Sequence, residues 1–243
     1  MVGNIAMNHS AILCLILVLF ATVAAGVDDK SMQSMKADND AMLVTDPASS
    51  FWRVGPAVYA ETDTYGKPLP GYRTEIRSRW TKDNLYFLFI CPYETLYLKA
   101  DPKTETDTFQ LWDWDVAEVF IGSDFQNIRR YKEFEVSPQG EWIDLDIDLT
   151  KPQHEDGWKW NSGFQVSARI DRAAKTWYAA MRIPFAAIDP RSPTEGNTFR
   201  INLFRAQGPP SQRKYIAWQA TMSDSFHVPE RFGILKLVSS PAH

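Results

Sequence analysis

The chain has 243 residues, with 26 lysines and arginines against 30 aspartates and glutamates, and a formal net charge of −4. No basic stripe interrupts this mixed charge, which argues against a nucleic-acid partner. Beyond residue 25, no segment is apolar enough to cross a bilayer. The remaining length is that of one domain with a full core. We therefore expect a single monomeric domain that binds neither nucleic acid nor a membrane.

The N-terminus has the features of an export signal. Residues 11–21 form an unbroken apolar run that is too short to span a membrane. Val23 and Ala25 provide the small residues of a cleavage site, although residues 1–10 contain no lysine or arginine. We predict a signal peptide over residues 1–25 and a secreted or periplasmic protein. The polar residues 26–45 then predict a flexible tail, and residues 46–240 the folded domain.

The two cysteines indicate little chemistry. Cys14 lies inside the predicted signal peptide, so Cys91 has no partner for an internal disulfide after cleavage. Cys91 ends the apolar run LYFLFIC, which favours a buried and inert thiol.

Most of the domain alternates with a period of two, as half-buried strands do. Ten strands are predicted, over residues 73–80, 85–91, 116–121, 131–137, 142–149, 164–170, 176–183, 199–204, 214–218 and 234–238. The proline at position 184 suits the start of one short helix over residues 184–188. Many short strands with one or two short helices predict an all-β fold, a two-sheet antiparallel β-sandwich of the jelly-roll type.

The run LWDWDVAEVFIG at residues 111–122 places two tryptophans among aspartates. Burying the charges would be costly, and two exposed indoles are unusual unless they bind something. A flat indole beside carboxylates can hold a sugar ring, whose C–H face lies on the aromatic ring while its hydroxyls donate to the acids. The alternative is equally weighted: one tryptophan caps the core and the aspartates form a turn.

Three sequence blocks follow one another along the domain, RWTKDNLY at residues 79–86, LWDWDVAEVF at 111–120 and FHVPERFGIL at 226–235. These blocks resemble the family 9 carbohydrate-binding modules, which belong to the DOMON-like β-sandwich superfamily. Their order and spacing carry the resemblance over nearly the whole domain. It implies a non-catalytic module that binds a poly- or oligosaccharide, usually at the reducing end of a glucan or xylan chain such as cellulose, in carbohydrate catabolism.

In that family two aromatic side chains clamp the terminal sugar. The resemblance places Trp112 and Phe226 in the clamp, with phenylalanine where tryptophan is usual, and assigns a ligand-binding acid to Glu118. Glu135 stands where the best-known members have an arginine. Glu133 and Glu135 share a predicted strand face with Tyr131, which is either a sugar-binding cleft or an ordinary solvated sheet face.

Positive charge near the clamp is predicted from one of two arginines. Arg205 follows the predicted strand 199–204, and Arg200 lies within it. We expect Arg205 to donate hydrogen bonds to the sugar, and Arg200 is the alternative.

Three other functions are weighed against sugar binding. A glycosidic-bond hydrolase would need two carboxylates across the bond, and acids are plentiful here. A haem protein could use Met181 and Met222 with His227 or His154, but the spacing of Met181 indicates a core residue. Asp144, Asp146 and Asp148 offer oxygen ligands for structural calcium, yet alternate strand positions lie about 7 Å apart, which favours an exposed acidic edge. We expect no cofactor and no catalytic residue.

Overall fold

The computed structural model describes Met1, residues 30–151 and residues 158–240. Apart from Met1, the predicted signal peptide lies outside these residues, and so does His154. The strands are β1 Ser31–Lys36, β2 Val58–Ala60, β3 Thr62–Asp63, β4 Thr74–Trp80, β5 Asn84–Pro92, β6 Val116–Gly122, β7 Arg130–Val136, β8 Trp142–Asp148, β9 Gln165–Asp171, β10 Thr176–Pro184, β11 Thr198–Gln207, β12 Lys214–Ala217 and β13 Gly233–Val238. One α-helix is described, α1 Phe185–Ile188, together with short 3-10 turns at Leu111–Asp113, Pro210–Gln212 and Pro229–Arg231.

The prediction of an all-β fold is confirmed. Each of the ten predicted strands overlaps an observed one, and the predicted short helix overlaps α1. The turns Thr81–Asn84 and Asp171–Thr176 close antiparallel pairs, β4 with β5 and β9 with β10. Within the described residues, no helix has the length and apolar character of a membrane span.

Strand β1 lies at the centre of the sheet order β8-β7-β6-β11-β13-β1-β4-β5-β10-β9. It pairs in parallel with both β13 and β4, so hydrogen bonds run continuously from one half of the molecule to the other. The separation into two jelly-roll sheets therefore stays a prediction.

The prediction of a flexible tail over residues 26–45 is wrong for the part that the structure describes. Met32 and Ser34 of β1 are buried, and Met32 packs in the main hydrophobic core. Beyond β1, Asp40 accepts a hydrogen bond from the hydroxyl of Tyr86, 3.0 Å away. The segment SMQSMK lacks β-branched residues and is polar, so its strand state comes from its partners rather than from local propensity.

The main core fills one face of the sheet. Leu85, Phe87 and Phe89 of β5 pack there with Ala117, Val119 and Ile121 of β6, as strand alternation requires. Cys91 is part of this core, and burial raises the pKa of its thiol to about 12. The prediction of a buried cysteine is thus confirmed, and the raised pKa agrees with an inert thiol.

The opposite face of β6, β7, β8 and β11 carries a second apolar group, which we call the cavity-side cluster. Val116 and Phe120 of β6 pack in it with Tyr131 of β7 and Phe204 of β11. Trp112 and Phe226 pack against its margin, partly buried. The candidate site lies on this face, beside the cavity-side cluster.

Candidate functional site

A cavity of about 610 Å³ opens on this face. Its lining comes from four strands and three connecting segments: Tyr97, Trp112, Asp113, Trp114, Glu118, Phe120, Glu133, Ala206, Pro210, Arg213, Tyr215, Asp224, Ser225, Phe226 and His227. The volume lies within the usual range for small-ligand sites. Four predicted site residues therefore meet at one place, namely Trp112, Phe226, Glu118 and Glu133.

The turn that precedes β6 forms the first wall. Buried Leu111 anchors the 3-10 turn Leu111–Asp113, which follows Gln110 in the left-handed backbone region at φ 59°. Arg213 fixes the turn from outside by donating to the carbonyl oxygens of Trp112, at 2.6 Å, and Trp114. Both indoles are partly buried and both line the cavity. Neither tryptophan therefore simply caps the main core.

The structure defines the packing of Trp114, which the sequence did not predict. Its indole stacks on the ring of Tyr97, with centroids 4.6 Å apart and planes 18° from parallel. Tyr97 belongs to the irregular segment between β5 and β6, which carries no periodic signal. The sequence therefore could not place Tyr97, although the paired tryptophans did mark the segment it packs against.

The segment before β13 forms a second wall. The ring of Phe226 stacks on Phe204 of β11, with centroids 4.1 Å apart and planes 10° from parallel. Tyr215 of β12 meets Phe226 edge-on at 5.6 Å and is 47% exposed. This stacking holds Phe226 in place from behind, so its orientation is set before any ligand arrives.

Three glutamates lie together at the base of the cavity. Glu118 of β6 is the direct register partner of Glu135 on β7, and Glu133 is two residues away on the same face. One carboxylate oxygen from each lies within 4.8 Å of the others. Their exposed fractions are only 2% for Glu118, 3% for Glu133 and 0% for Glu135. Glu118 and Glu133 line the cavity, and Glu135 lies behind them.

The alternative of an ordinary solvated face is therefore wrong. Burial is the main cause that raises the pKa of all three carboxyls, and repulsion between neighbouring carboxylates adds to it for Glu118 and Glu135. Burial raises the pKa of Glu133 to about 7. Three acceptor groups in this arrangement can surround a cation or, when protonated, share protons with one another.

His227 closes the base of the cavity beside the glutamates. Its Nδ1 lies 2.7 Å from the hydroxyl of Tyr131, which fixes the ring, and its Nε2 lies 4.0 Å from Oε2 of Glu133. The sequence raised His227 only as a possible haem ligand. Its contacts instead connect it to the acidic cluster.

Arg205 does not reach the cavity, which corrects the sequence prediction. It is fully buried and donates to the carbonyl of Pro92 at 2.7 Å and to Thr74 Oγ1 at 3.1 Å. Strand β11 continues to Gln207, so alternation turns Phe204 and Ala206 to the cavity-side cluster and Arg205 to the opposite face.

The alternative donor, Arg200, lies elsewhere too. It donates to the carbonyls of Asp124, at 3.0 Å, and Ile128, at 3.2 Å. Arg213, which carried no sequence signal, is the arginine that lines the cavity.

Asp115 is a structural residue of the site. It is fully buried and accepts backbone hydrogen bonds from Tyr97 at 2.8 Å and from Gly208 at 2.6 Å. A guanidinium nitrogen of Arg213 lies 3.8 Å from the same carboxylate. Asp115 therefore joins the turn before β6 and the segment that carries Tyr97 to the end of β11.

The rival sites do not assemble at this cavity. Met181 is buried in the main core, and Met222 is 52% exposed and absent from the cavity lining. Asp146 pairs with Lys132 at 2.6 Å, whereas Asp144 and Asp148 are buried at 1% and 6% exposure. The prediction that these aspartates form an exposed acidic face is wrong for those two. Among the described residues, only Glu118, Glu133 and Glu135 bring three potential metal-ligand atoms together.

The fold is shared with solved structures. A protein from Bacteroides uniformis ATCC 8492 matches with a TM-score of 0.67 and 15% identity, over 86% of this chain and 99% of that one. A family 9 carbohydrate-binding module from Caldicellulosiruptor kristjanssonii, solved with cellotriose, matches with a TM-score of 0.61 and 13% identity, over 86% and 94% of the two chains. At these identities the likeness is one of fold.

Sequence comparison extends the likeness. The chain is 27% identical over 180 residues to an "Extracellular protein" of Arthroderma benhamiae (strain ATCC MYA-4681 / CBS 112371), covering 68% of this chain and 78% of the relative. Residues 52–240 match the family model described as carbohydrate family 9 binding domain-like. That match spans most of the chain and contains every residue of the cavity. The chain belongs to the carbohydrate family 9 binding domain-like family.

Proposed function

We propose that the protein is an exported, non-catalytic carbohydrate-binding protein that recognises the end of a glucan- or xylan-type chain with an aromatic clamp. The observation that carries this proposal is the meeting of Trp112 and Phe226 at one cavity above two buried glutamates. These two aromatics are separated by more than a hundred residues in the sequence, so the fold alone brings them together.

The chemistry of the lining suits a sugar ring. The axial C–H groups of a pyranose pack on aromatic faces, and Trp112 and Phe226 offer such faces on two different segments. Hydroxyl groups donate to carboxylates, and Glu118 and Glu133 lie within the same lining. The stacking of Phe226 on Phe204 reduces the entropy lost when a ring binds.

The comparisons support the class of ligand. The module from Caldicellulosiruptor kristjanssonii was solved in complex with glucose in one structure and with cellotriose in another. The relative named as extracellular agrees with export. By analogy, we propose that this chain binds a β-linked glucose oligomer and that it is exported.

Calorimetric titration with cello- and xylo-oligosaccharides tests the proposal. We expect binding of at least one series, and loss of binding after borohydride reduction of the sugar ends would identify reducing-end recognition. Trp112→Ala should abolish the heat of binding while circular dichroism stays that of a folded β protein. The same mixtures, assayed for new reducing ends, should show no hydrolysis. Failure of both series to bind would reject the proposal.

A further inference from the structure

The acidic base of the cavity has little compensating positive charge among the described residues. Both carboxylate oxygens of Glu135 and Oε2 of Glu133 accept no hydrogen bond from any other described residue, and the contact between these two carboxyls is satisfied only when they share a proton. Both side chains are at least nine-tenths buried. Such buried acceptors are rare in proteins and are costly when they remain unsatisfied. These carboxyls border the cavity, because Glu133 belongs to its lining and Glu135 contacts Glu133.

The nearest cation in the lining is already engaged. Arg213 donates to the carbonyls of Trp112, Trp114 and Gly208 and lies 3.8 Å from Asp115. Burial raises the pKa of Glu118 and Glu135 more than the charge of Arg213 lowers it, and Arg213 also acts on Asp115, which is fully buried. His227 lies 4.0 Å from Glu133 through Nε2 and is held at Nδ1 by Tyr131. At most one imidazolium thus faces three carboxyl groups.

A neutral sugar would bring no positive charge to the three carboxyl groups. A hydroxyl brings one donor together with two acceptor lone pairs, which ionised carboxylates repel. An ammonium group brings three donors, a full positive charge and no acceptor. With N–H···O distances of about 2.8 Å and tetrahedral geometry, two of its acceptors lie about 4.6 Å apart. One carboxylate oxygen from each of Glu118, Glu133 and Glu135 lies within 4.8 Å of the other two.

The aromatic walls of the cavity also favour an ammonium group. Trp112, Trp114 and Tyr97 present aromatic rings on one side, and Tyr215 and Phe226 on another. Aromatic faces attract cations that have lost part of their hydration, and they pack equally well on sugar C–H groups. The combination of rings and buried acids therefore matches a sugar that carries a positive charge better than a neutral one.

Resting on the proposed sugar-binding function, we infer that the preferred ligand is an amino sugar, a glucan-type unit in which a free, protonated amino group replaces one hydroxyl. Burial raises the pKa of all three carboxyls, that of Glu133 to about 7, so Glu133 is mostly protonated near pH 6 in the free protein. The bound ammonium group favours the ionised form: Glu118 and Glu133 release their protons to solvent and accept its hydrogen bonds. Glu135, behind them, adds negative charge to the ionised cluster and does not touch the ligand.

Three β-1,4-linked trisaccharides that differ only at C2 test the inference: cellotriose, the glucosamine trisaccharide and its N-acetylated form. In calorimetric titrations at about pH 6, where the amine is protonated, we expect the glucosamine trisaccharide to bind about tenfold or more tightly than cellotriose. The N-acetylated trisaccharide should gain nothing, because acetylation removes the charge. Glu133→Gln and Glu135→Gln should each lower the affinity ratio of the glucosamine trisaccharide to cellotriose severalfold. Glu105→Gln, which removes the same formal charge from an exposed position, should leave that ratio unchanged.

Several outcomes would overturn the inference. Equal affinity for cellotriose and the glucosamine trisaccharide would show that the acids are protonated and bind neutral hydroxyls, while leaving the proposed function intact. Heat of binding from Ca²⁺ alone, lost in Glu133→Gln, together with cellotriose binding that EDTA abolishes, would assign the cluster to a metal ion. If none of the three sugars binds, the inference fails, and if xylotriose does not bind either, the proposed function fails as well. Thermal unfolding of each variant shows whether the fold survives the substitution.

Discussion

Replacing Glu133 with glutamine should stabilise the protein at neutral and alkaline pH. The carboxyl of Glu133 is 3% exposed, and burial raises its pKa from 4.5 to about 7. Between these values the native protein holds a proton that the unfolded chain releases. Stability is therefore fully present below about pH 4.5 and is lost as the pH rises through about 7. Glutamine mimics the neutral acid at every pH and avoids this loss.

The size of the effect follows from the shift. A difference of about 2.5 pKa units corresponds to about 3 kcal/mol of unfolding free energy above pH 7, at 1.36 kcal/mol per unit. We expect Glu133→Gln to equal the unsubstituted protein at about pH 4.5 and to exceed its stability by up to about 3 kcal/mol at about pH 8. Burial also raises the pKa values of Glu118 and Glu135. The free energy of unfolding therefore continues to fall at higher pH as these two carboxyls ionise.

Urea unfolding followed by tryptophan fluorescence across this pH range measures the difference. The exposed Glu105→Gln variant provides the control for loss of one formal charge. A Glu133→Gln variant that is less stable than the unsubstituted protein at neutral pH would refute the reasoning. That result would mean that Glu133 is ionised and compensated in the free protein, for example by a protonated His227, 4.0 Å away.

Three further predictions follow from other parts of the structure. Phe226→Ala should weaken oligosaccharide binding about tenfold or more with little loss of stability, whereas Phe226→Trp, which offers a larger face, should strengthen it a few-fold; calorimetry measures both. Asp115→Asn should lower the free energy of unfolding by about 2–4 kcal/mol and weaken sugar binding, because Tyr97 and Arg213 lose their buried partner; unchanged urea midpoints would argue against that role. Met32→Ala should cost about 2–4 kcal/mol if β1 is a core strand, and a negligible cost would favour a tail.

The strands were predictable because their side chains alternate visibly between core and surface. In β8, Ile143, Leu145 and Ile147 face the cavity-side cluster while Asp144 and Asp146 point away, and a period of two is clear in the sequence. Strand β1 was not predictable in this way. Its burial depends on parallel partners more than 40 residues away on one side and about 200 on the other, and nothing in SMQSMK indicates them.

The candidate site was predictable only where residue type and resemblance agreed. Trp112, Glu118 and Phe226 carried both signals, and they line one cavity. The prediction for Arg205 was wrong because the face on which its side chain lies depends on where the strand ends. Strand β11 runs three residues beyond the predicted end, so Arg205 alternates with its neighbours as a strand residue. Arg213 lies just before β12 in a segment without periodicity, so only the folded loops reveal that it fixes the tryptophan-bearing turn.

Glu135 illustrates a different difficulty. Its alternation with Phe134 and Val136 placed it correctly on the face of Glu133. Burial was not predictable, because a strand of this pattern also fits a solvated sheet face. The cover comes from the loops that carry Trp112 and His227, which no local pattern connects to β7.

The indole N–H signals of the nine tryptophans in a two-dimensional NMR titration with cellotriose test the central claim most directly. Sugar binding in the cavity predicts that the signals of Trp112 and Trp114 shift and saturate together, while those of the buried Trp52, Trp80 and Trp177 stay in place. Single tryptophan-to-phenylalanine variants assign the signals. Saturable shifts confined to tryptophans outside the cavity would contradict the assignment of this site, and the absence of any shift with cellotriose, xylotriose and the glucosamine trisaccharide would contradict sugar binding itself.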